Sequence, residues 1–273
     1  MSFHNDPLVQ ICGMSKEYVQ RRPFRRIKFT VRAIENVNLT VHRGTTLALV
    51  GESGAGKSTV IRCLGLIETP TAGEIWFNGV NALTLDRGAL FLLRRQIQII
   101  FQDPTSALNP GMTAGEIIAE PLVIQREGTR QQQRKRGLEL MEQVGLPAKW
   151  ENKLPLEFSG GQRQRLAIAR ALTLEPKLLI LDEALSNLDL INQEMILRLL
   201  AELQVLYSLT YIHVSHDLRM VSDFADEVAV MYEGRIVEQK STAALFANPE
   251  HSYTQDLLGA MPLLESICEE RYA

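Results

Sequence analysis

"TTLALVGESGAGKST", residues 45–59, decides the fold. Its first half is a short apolar run without alternation. A strand buried on both faces reads this way, usually in a parallel sheet covered by helices. Its second half fits G-x-x-x-x-G-K-[ST] and leads into a helical pattern over 57–67. Glycines there let backbone N–H groups curl around phosphate oxygens, and the helix start adds partial positive charge. Lys57 is placed to reach the β- and γ-phosphates, and Ser58 to ligate Mg²⁺. Gly51, Glu52, Ser53, Gly54, Ala55, Gly56, Lys57, Ser58 and Thr59 are therefore candidate nucleotide contacts. The competing reading is a glycine-rich turn with a chance lysine, and it weakens with each further motif.

Three more runs resemble the first: "IQIIF" (97–101), "KLLIL" (177–181) and "TYIHV" (210–214). Helical patterns cover 113–124, 130–144, 160–174 and 190–206. Alternating strands and helices predict an α/β fold with a mostly parallel sheet. In such sheets ligands lie beyond the carboxyl ends of the strands. Those ends carry the phosphate loop, Gln102, Asp182 with Glu183, and Ser215 with His216. Asp182 is suited to hold Mg²⁺ directly or through water. Successive strand residues point to opposite faces, which frees Glu183 to orient an attacking water. Gln102 can touch the metal or the water, or simply end a turn. His216 can donate to a γ-phosphate, or pack or cap locally. Tyr18 can stack on adenine, although a lone aromatic near the chain start also suits plain packing.

Residues 103–158 are helical in pattern, include "QREGTRQQQRKR" (125–136), and read as a subdomain inserted between core segments 1–102 and 159–240. The tail, 241–273, reads as two short helices, "TAALFAN" and "SYTQDLLGAM", around Pro249. "EFSGGQRQR" (157–165) reads first as a capping box, Ser159 with Gln162. The box does not explain Gly160 and Gly161, which cost helix stability and suit close approach to the backbone. A capped, bare helix start attracts anions, yet no lysine or metal-binding acid follows. Ser159, Gly160, Gly161 and Gln162 are thus expected to close over a nucleotide held by another copy or a paralogue.

Composition narrows the class. The 273 residues are 45% hydrophobic and 22% charged, as in a globular protein with a sizeable core. A net charge of −3 gives no support for nucleic-acid binding. Cys12, Cys63 and Cys268 are scattered, match no metal-ligand spacing, and suit a reducing compartment. The opening residues lack a signal-peptide pattern, and no apolar run is long enough to span a bilayer. Any membrane role is expected to come through a partner. Six basic residues within 21–32 read as a solvated hairpin loop or as a contact for lipid headgroups or nucleotide phosphate.

Taken in order, "GESGAGKS", "FQDP", "FSGGQRQR", "LLILDE" and "SHD" resemble the nucleotide-binding subunit of an ATP-binding cassette transporter, from about Leu8 to Pro262. "IFQDPTSALNP", "TAGEIIAEPL" and "NPEHSYTQDLLGAMP" resemble its oligopeptide, dipeptide and nickel importer branch. The resemblance implies one P-loop, RecA-like ATPase domain with an N-terminal antiparallel β portion, binding ATP and Mg²⁺. It implies a head-to-tail dimer with an identical or paralogous subunit. Permease subunits, and indirectly a solute-binding protein, are implied partners, at the cytoplasmic face of the inner membrane. By the same resemblance Tyr18 matches the adenine-stacking position and Gln102 the hinge to the helical subdomain. Glu183 matches the catalytic carboxylate, His216 the switch histidine, and Asp189 in "LSNLD" a dimer-contact loop. Lys57 with Gln102 completes the expected catalytic set, and Ser58, Gln102 and Asp182 the metal set. Asn187 stands where alanine is usual, which is expected to alter contacts across the dimer. With only Cys268 near the end, no iron–sulfur cluster is expected. A soluble ATPase of the same fold acting on nucleic acid or the ribosome is the alternative. It calls for a long coiled-coil insert or two cassettes in one chain, and this sequence has neither.

Overall fold

The four apolar runs become neighbouring strands of one sheet. In the computed structural model, which describes residues 7–21 and 28–260, the chain first lays down a long antiparallel pair. β1 (Pro7–Arg21) pairs with β2 (Lys28–His42) from Pro7↔His42 to Arg21↔Lys28. Residues 22–27, which include Arg22, Arg25 and Arg26 of the basic segment, lie outside the described residues. β3 (Thr46–Val50) then runs into the phosphate loop and α1 (Lys57–Leu64). β4 (Ala72–Phe77) and β5 (Val80–Asn81) return to the first sheet, whose order is β2-β1-β4-β5. α2 (Arg87–Gln96) delivers β6 (Ile97–Ile100).

A helical stretch follows: α3 (Pro104–Ala107), α4 (Ala114–Gln125), α5 (Arg130–Gln143) and α6 (Gly160–Leu172). The chain then alternates β7 (Leu178–Asp182), α7 (Leu190–Tyr207), β8 (Thr210–Val214) and α8 (Leu218–Phe224). It closes with the hairpin β9 (Glu227–Tyr232) and β10 (Arg235–Ser241), then α9 (Thr242–Ala247) and α10 (Ser252–Gly259). The main sheet has the order β10-β9-β3-β8-β7-β6. β3 pairs in parallel with β8 and β9, and β7 with β6 and β8, while β10 runs antiparallel at the edge. The fold is thus α/β, with a mostly parallel sheet and an N-terminal antiparallel one.

Alternation along the buried strands builds apolar cores on both faces of the main sheet. Leu47, Leu49, Ile180, Ile212 and Val214 face α1 and the antiparallel sheet, where Ile61, Leu64, Ile11 and Phe77 meet them. Leu179, Leu181 and Tyr211 face α6 and α7, meeting Leu166, Ile168 and Leu200. Each fully buried side chain of this kind contributes about 1.5–3 kcal/mol, so the central strands are the most firmly held part of the chain.

α6 is tied to the helical insert as well as to the core. Arg165 donates to the Val144 carbonyl at 2.6 Å, the Thr173 hydroxyl to the Ile118 carbonyl at 2.8 Å, and Arg170 pairs with Glu120 at 2.7 Å. α6, which follows the expected boundary at 158, is therefore bound to helices that precede it.

Candidate active site

The strand ends meet through the sheet register. Val214 is opposite both Leu49 and Asp182. The Glu183 N–H donates to the Val214 carbonyl at 3.1 Å, and the Ser215 N–H to Leu49 at 3.3 Å. The phosphate loop, Asp182 with Glu183, and Ser215 with His216 accordingly share one edge.

The phosphate loop is shaped from outside. A Cβ on Gly51 (φ 146°) would sit 2.1 Å from the Met231 carbonyl oxygen, so β9 forbids a side chain there. At Gly54 (φ 87°) a Cβ would meet nothing within 4 Å, which leaves the loop's inner side open as a cradle. The turn after β9 braces the loop, since the Gly234 N–H donates to Ala55 at 3.0 Å and the Glu35 N–H to Gly234 at 2.9 Å. Lys57 is buried, with Nζ donating to the carbonyls of Gly51 (2.7 Å) and Glu52 (2.8 Å). Burial lowers its pKa, against the pull of Glu183, Asp182 and Glu52. A cleft of about 620 Å³ opens here, walled by Arg32, Gly54, Lys57, Ser58, Thr59 and Glu183.

Asp182 is half-buried at the end of β7. Burial raises its pKa, Glu183 adds to the rise, and Arg62 and Lys57 oppose it. A carboxylate under that strain suits a cation. Among the described residues no group of three or more His, Cys, Asp or Glu could hold a metal alone. The donors on offer are one carboxylate, the exposed Ser58 hydroxyl and the Gln102 amide. Such a hard, oxygen-rich and incomplete set fits Mg²⁺, which substrate phosphates then complete.

Glu183 has a left-handed backbone, φ 48°. Its Oε1 lies 4.0 Å from Nδ1 of the exposed His216. It borders both the cleft and a smaller cavity of about 140 Å³, shared with Ser186, Gln193, His213 and His216. Gln102 is exposed. Its Nε2 reaches the Ser186 hydroxyl at 3.5 Å, while its carbonyl accepts from Asn187 Nδ2 at 3.3 Å. Asn187 thus has a partner inside its own chain. Tyr18 stands on β1 with its hydroxyl donating to Glu68 at 2.6 Å and Lys16 Nζ 5.3 Å from its ring centre. Burial and the Glu68 hydrogen bond raise its pKa, and Thr59 opposes them from the start of α1. Tyr18 therefore lies beside the phosphate-loop helix.

Ser159–Gln162 are not among the walls of this cleft. Their capping box is present: Ser159 Oγ accepts from the Gln162 N–H at 3.3 Å, and Gln162 Oε1 from the Ser159 N–H at 3.0 Å. Gly160 is exposed and faces nothing closer than Leu188 Cδ2, at 3.8 Å from a built Cβ. Gly161 differs, because a Cβ there would lie 2.7 Å from Asn192 Oδ1. Close packing against the Asn192 side chain of α7 thus favours the second glycine, a reason that the bare-backbone reading does not include. Asp189 caps α7 and holds that asparagine, accepting from Asn192 N at 3.0 Å and Nδ2 at 2.6 Å. The backbone hydrogen bond from Asn192 lowers its pKa.

Arg32 and the Glu233–Gly234 turn are not legible in the sequence as site residues. Arg32 sits in a basic run, and "YEGR" reads as any hairpin turn. Cys63 is buried with its thiol pushed up to about 11, Cys12 is exposed, and Cys268 lies outside the described residues.

Comparison with known proteins agrees with this geometry. The family model for the ABC transporter matches residues 34–186. The dipeptide transport ATP-binding protein DppF of Haemophilus influenzae is 44% identical over 260 residues, covering 95% of this chain and 80% of that protein. DppF of Escherichia coli is 44% identical over 94% of this chain and 77% of its own length. The dimeric, post-hydrolysis structure of the ATP-binding cassette MJ0796 bound to ADP and Pi superposes with a TM-score of 0.75 at 30% identity, over 86% of this chain and 98% of that one. CbiO1 of Clostridium perfringens, part of the cbiONQ transporter complex, superposes with a TM-score of 0.77 at 29% identity, over 89% and 92%. With sequence, sheet and motif order in agreement along nearly its whole length, the chain belongs to the ABC transporter family and is one of its ATP-hydrolysing subunits.

Proposed function

We propose that this subunit forms half of a head-to-tail nucleotide sandwich and powers the import of peptides or similarly small solutes. One observation carries the sandwich: the bare helix start at Gly160 is exposed and absent from the walls of the cleft beside Lys57. Its anion-attracting end must therefore serve a nucleotide held elsewhere. The peptide cargo rests on the 44% identity to dipeptide transport subunits.

Residues 51–59 cradle the phosphates while Tyr18 supports the adenine. Lys57 leaves its two carbonyl partners for the β- and γ-phosphates. Ser58, Asp182 and Gln102 would hold Mg²⁺, which would neutralise phosphate charge. Glu183 accepts a hydrogen bond from the attacking water and aligns it on the γ-phosphorus. As the new P–O bond forms, the bond to the ADP oxygen breaks. His216 donates to the γ-phosphate. Ser159–Gln162 and Asp189 of the opposing subunit close the site, and phosphate release reopens it.

The motion has an exit beside Gln102. A groove of about 500 Å³ runs past Phe101, Pro121, Ile124 and Arg170, with Phe101 and Ile124 exposed on its rim. A permease docked there would feel Gln102 move. No helix among the described residues is long and apolar enough to cross a membrane, so attachment to the cytoplasmic face goes through that permease.

The test is purification of the tagged chain from membranes, identification of the co-purifying permease and mate, and reconstitution in proteoliposomes. Expected is MgATP-driven uptake of a labelled dipeptide that stops with Glu183→Gln. Isolation without any permease, or uptake confined to an unrelated solute, would overturn the proposal.

A further inference from the structure

The phosphate loop has a partner in the chain's tail. The backbone of Glu52 is held at both its N–H and its carbonyl. Its N–H donates to the Tyr253 hydroxyl at 2.9 Å, and its carbonyl accepts from Lys57 Nζ at 2.8 Å. Tyr253 lies on α10, 201 positions along the chain. Its ring packs on Tyr232 at the end of β9, centroids 4.3 Å apart. That same strand end presses on Gly51 through the Met231 carbonyl.

α10 is itself anchored. Glu238 of β10, 8% exposed, accepts from the backbone N–H groups of Glu250 (3.0 Å) and His251 (3.1 Å). Lys240 bridges Glu238 and Glu250 at 3.0 and 2.8 Å. His251 caps the helix by accepting from the Tyr253 N–H at 3.2 Å, and Thr254 is fully buried. This end of the chain is therefore a strap fastened to β10, with a phenol reaching the loop.

We propose that Tyr253 is a positioning residue for the phosphate loop. Its hydroxyl keeps the Glu52 peptide oriented so that the loop is preformed for ATP. The role matters most when Lys57 transfers to phosphate, because the Glu52 carbonyl then loses its ammonium and the phenol remains. A loop with several left-handed glycines has little stiffness of its own, and preorganisation acts on affinity rather than on the chemical step. The proposal rests on the reading that residues 51–58 hold the phosphates.

The experiment uses the full chain. Tyr253→Phe keeps the ring on Tyr232 and removes the hydroxyl. Expected are faster hydrogen exchange at the Glu52 amide and a KM for ATP raised about three- to tenfold, as for loss of one neutral hydrogen bond. kcat and melting temperature stay near wild type. 3-Fluorotyrosine at position 253 keeps the hydroxyl and retains the wild-type KM. An unchanged KM in Tyr253→Phe overturns the proposal, as does a rise that merely follows a fall in melting temperature. Lys57→Ala is the control: unchanged ATP affinity there removes the phosphate-loop reading itself, and this proposal with it.

Discussion

Gly160 and Gly161 are adjacent, alike in sequence, and serve different purposes. Gly161→Ala drives a methyl into Asn192 and disturbs its pairing with Asp189. Overpacking of this kind costs about 1–3 kcal/mol, so the isolated subunit should melt at a lower temperature. Gly160→Ala meets only Leu188 Cδ2 at van der Waals distance and gains helix propensity. It should leave melting unchanged or raised while hydrolysis by the closed dimer falls. Equal melting of the two variants would contradict the assignment. At Lys57 the measurement is ATP affinity by calorimetry, which Lys57→Ala should largely abolish. The motifs make these residue types legible, but not the reason for Gly161. That reason is a contact with α7, 31 positions away, and no local pattern encodes it.

At the level of the element, β8 carries an unusual burden. His213 is 1% exposed, and its Nδ1 finds no hydrogen-bond partner among the described residues. Burial pushes its pKa down to about 4, with Asp217 pulling the other way. The unfolded chain binds that proton nearer pH 6.5. Below that value protonation favours unfolding, so the stability from this group is full above pH 6.5 and fades as pH falls towards 4. Urea melts should show a loss of about 2 kcal/mol at pH 5 relative to pH 8 from this group. His213→Phe should remove that component, and an identical pH slope in the variant would refute the account. "TYIHV" is legible as a strand despite the histidine because its neighbours carry the apolar signal. The hairpin β9–β10 is not, although β9 lies inside the sheet between β3 and the edge strand. Its alternating, partly polar second strand lacks the unbroken run that marks the others. β1 and β2 are long, bulged and mixed in polarity, so no local pattern marks them, and the antiparallel portion is expected only from the family resemblance.

On the proposed reading, the molecule as a whole holds a site that needs a mate. Glu183→Gln should keep ATP binding and lower hydrolysis by about 10²–10⁴-fold. With MgATP it should elute as a dimer, alone or with its paralogous mate. A variant that stays monomeric under every pairing would break the sandwich, and one that still turns over at the wild-type rate would move the base elsewhere. That reading starts from the residues themselves, because the capped, anion-attracting helix start at 159–162 has no lysine of its own, and Lys57, Ser58 and Asp182 are already engaged at the other motif. The link between phosphate loop and tail is not legible, because "SYTQDLLGAM" shows only helical periodicity and nothing local marks its tyrosine.

Glu183, the carboxylate proposed to align the attacking water, stands at a backbone turn that long side chains resist. Asparagine or glycine would settle there more comfortably, at the expense of turnover. A library screened for heat resistance alone should therefore discard the acid at this position early, and any descendant freed from burning nucleotide should drift the same way.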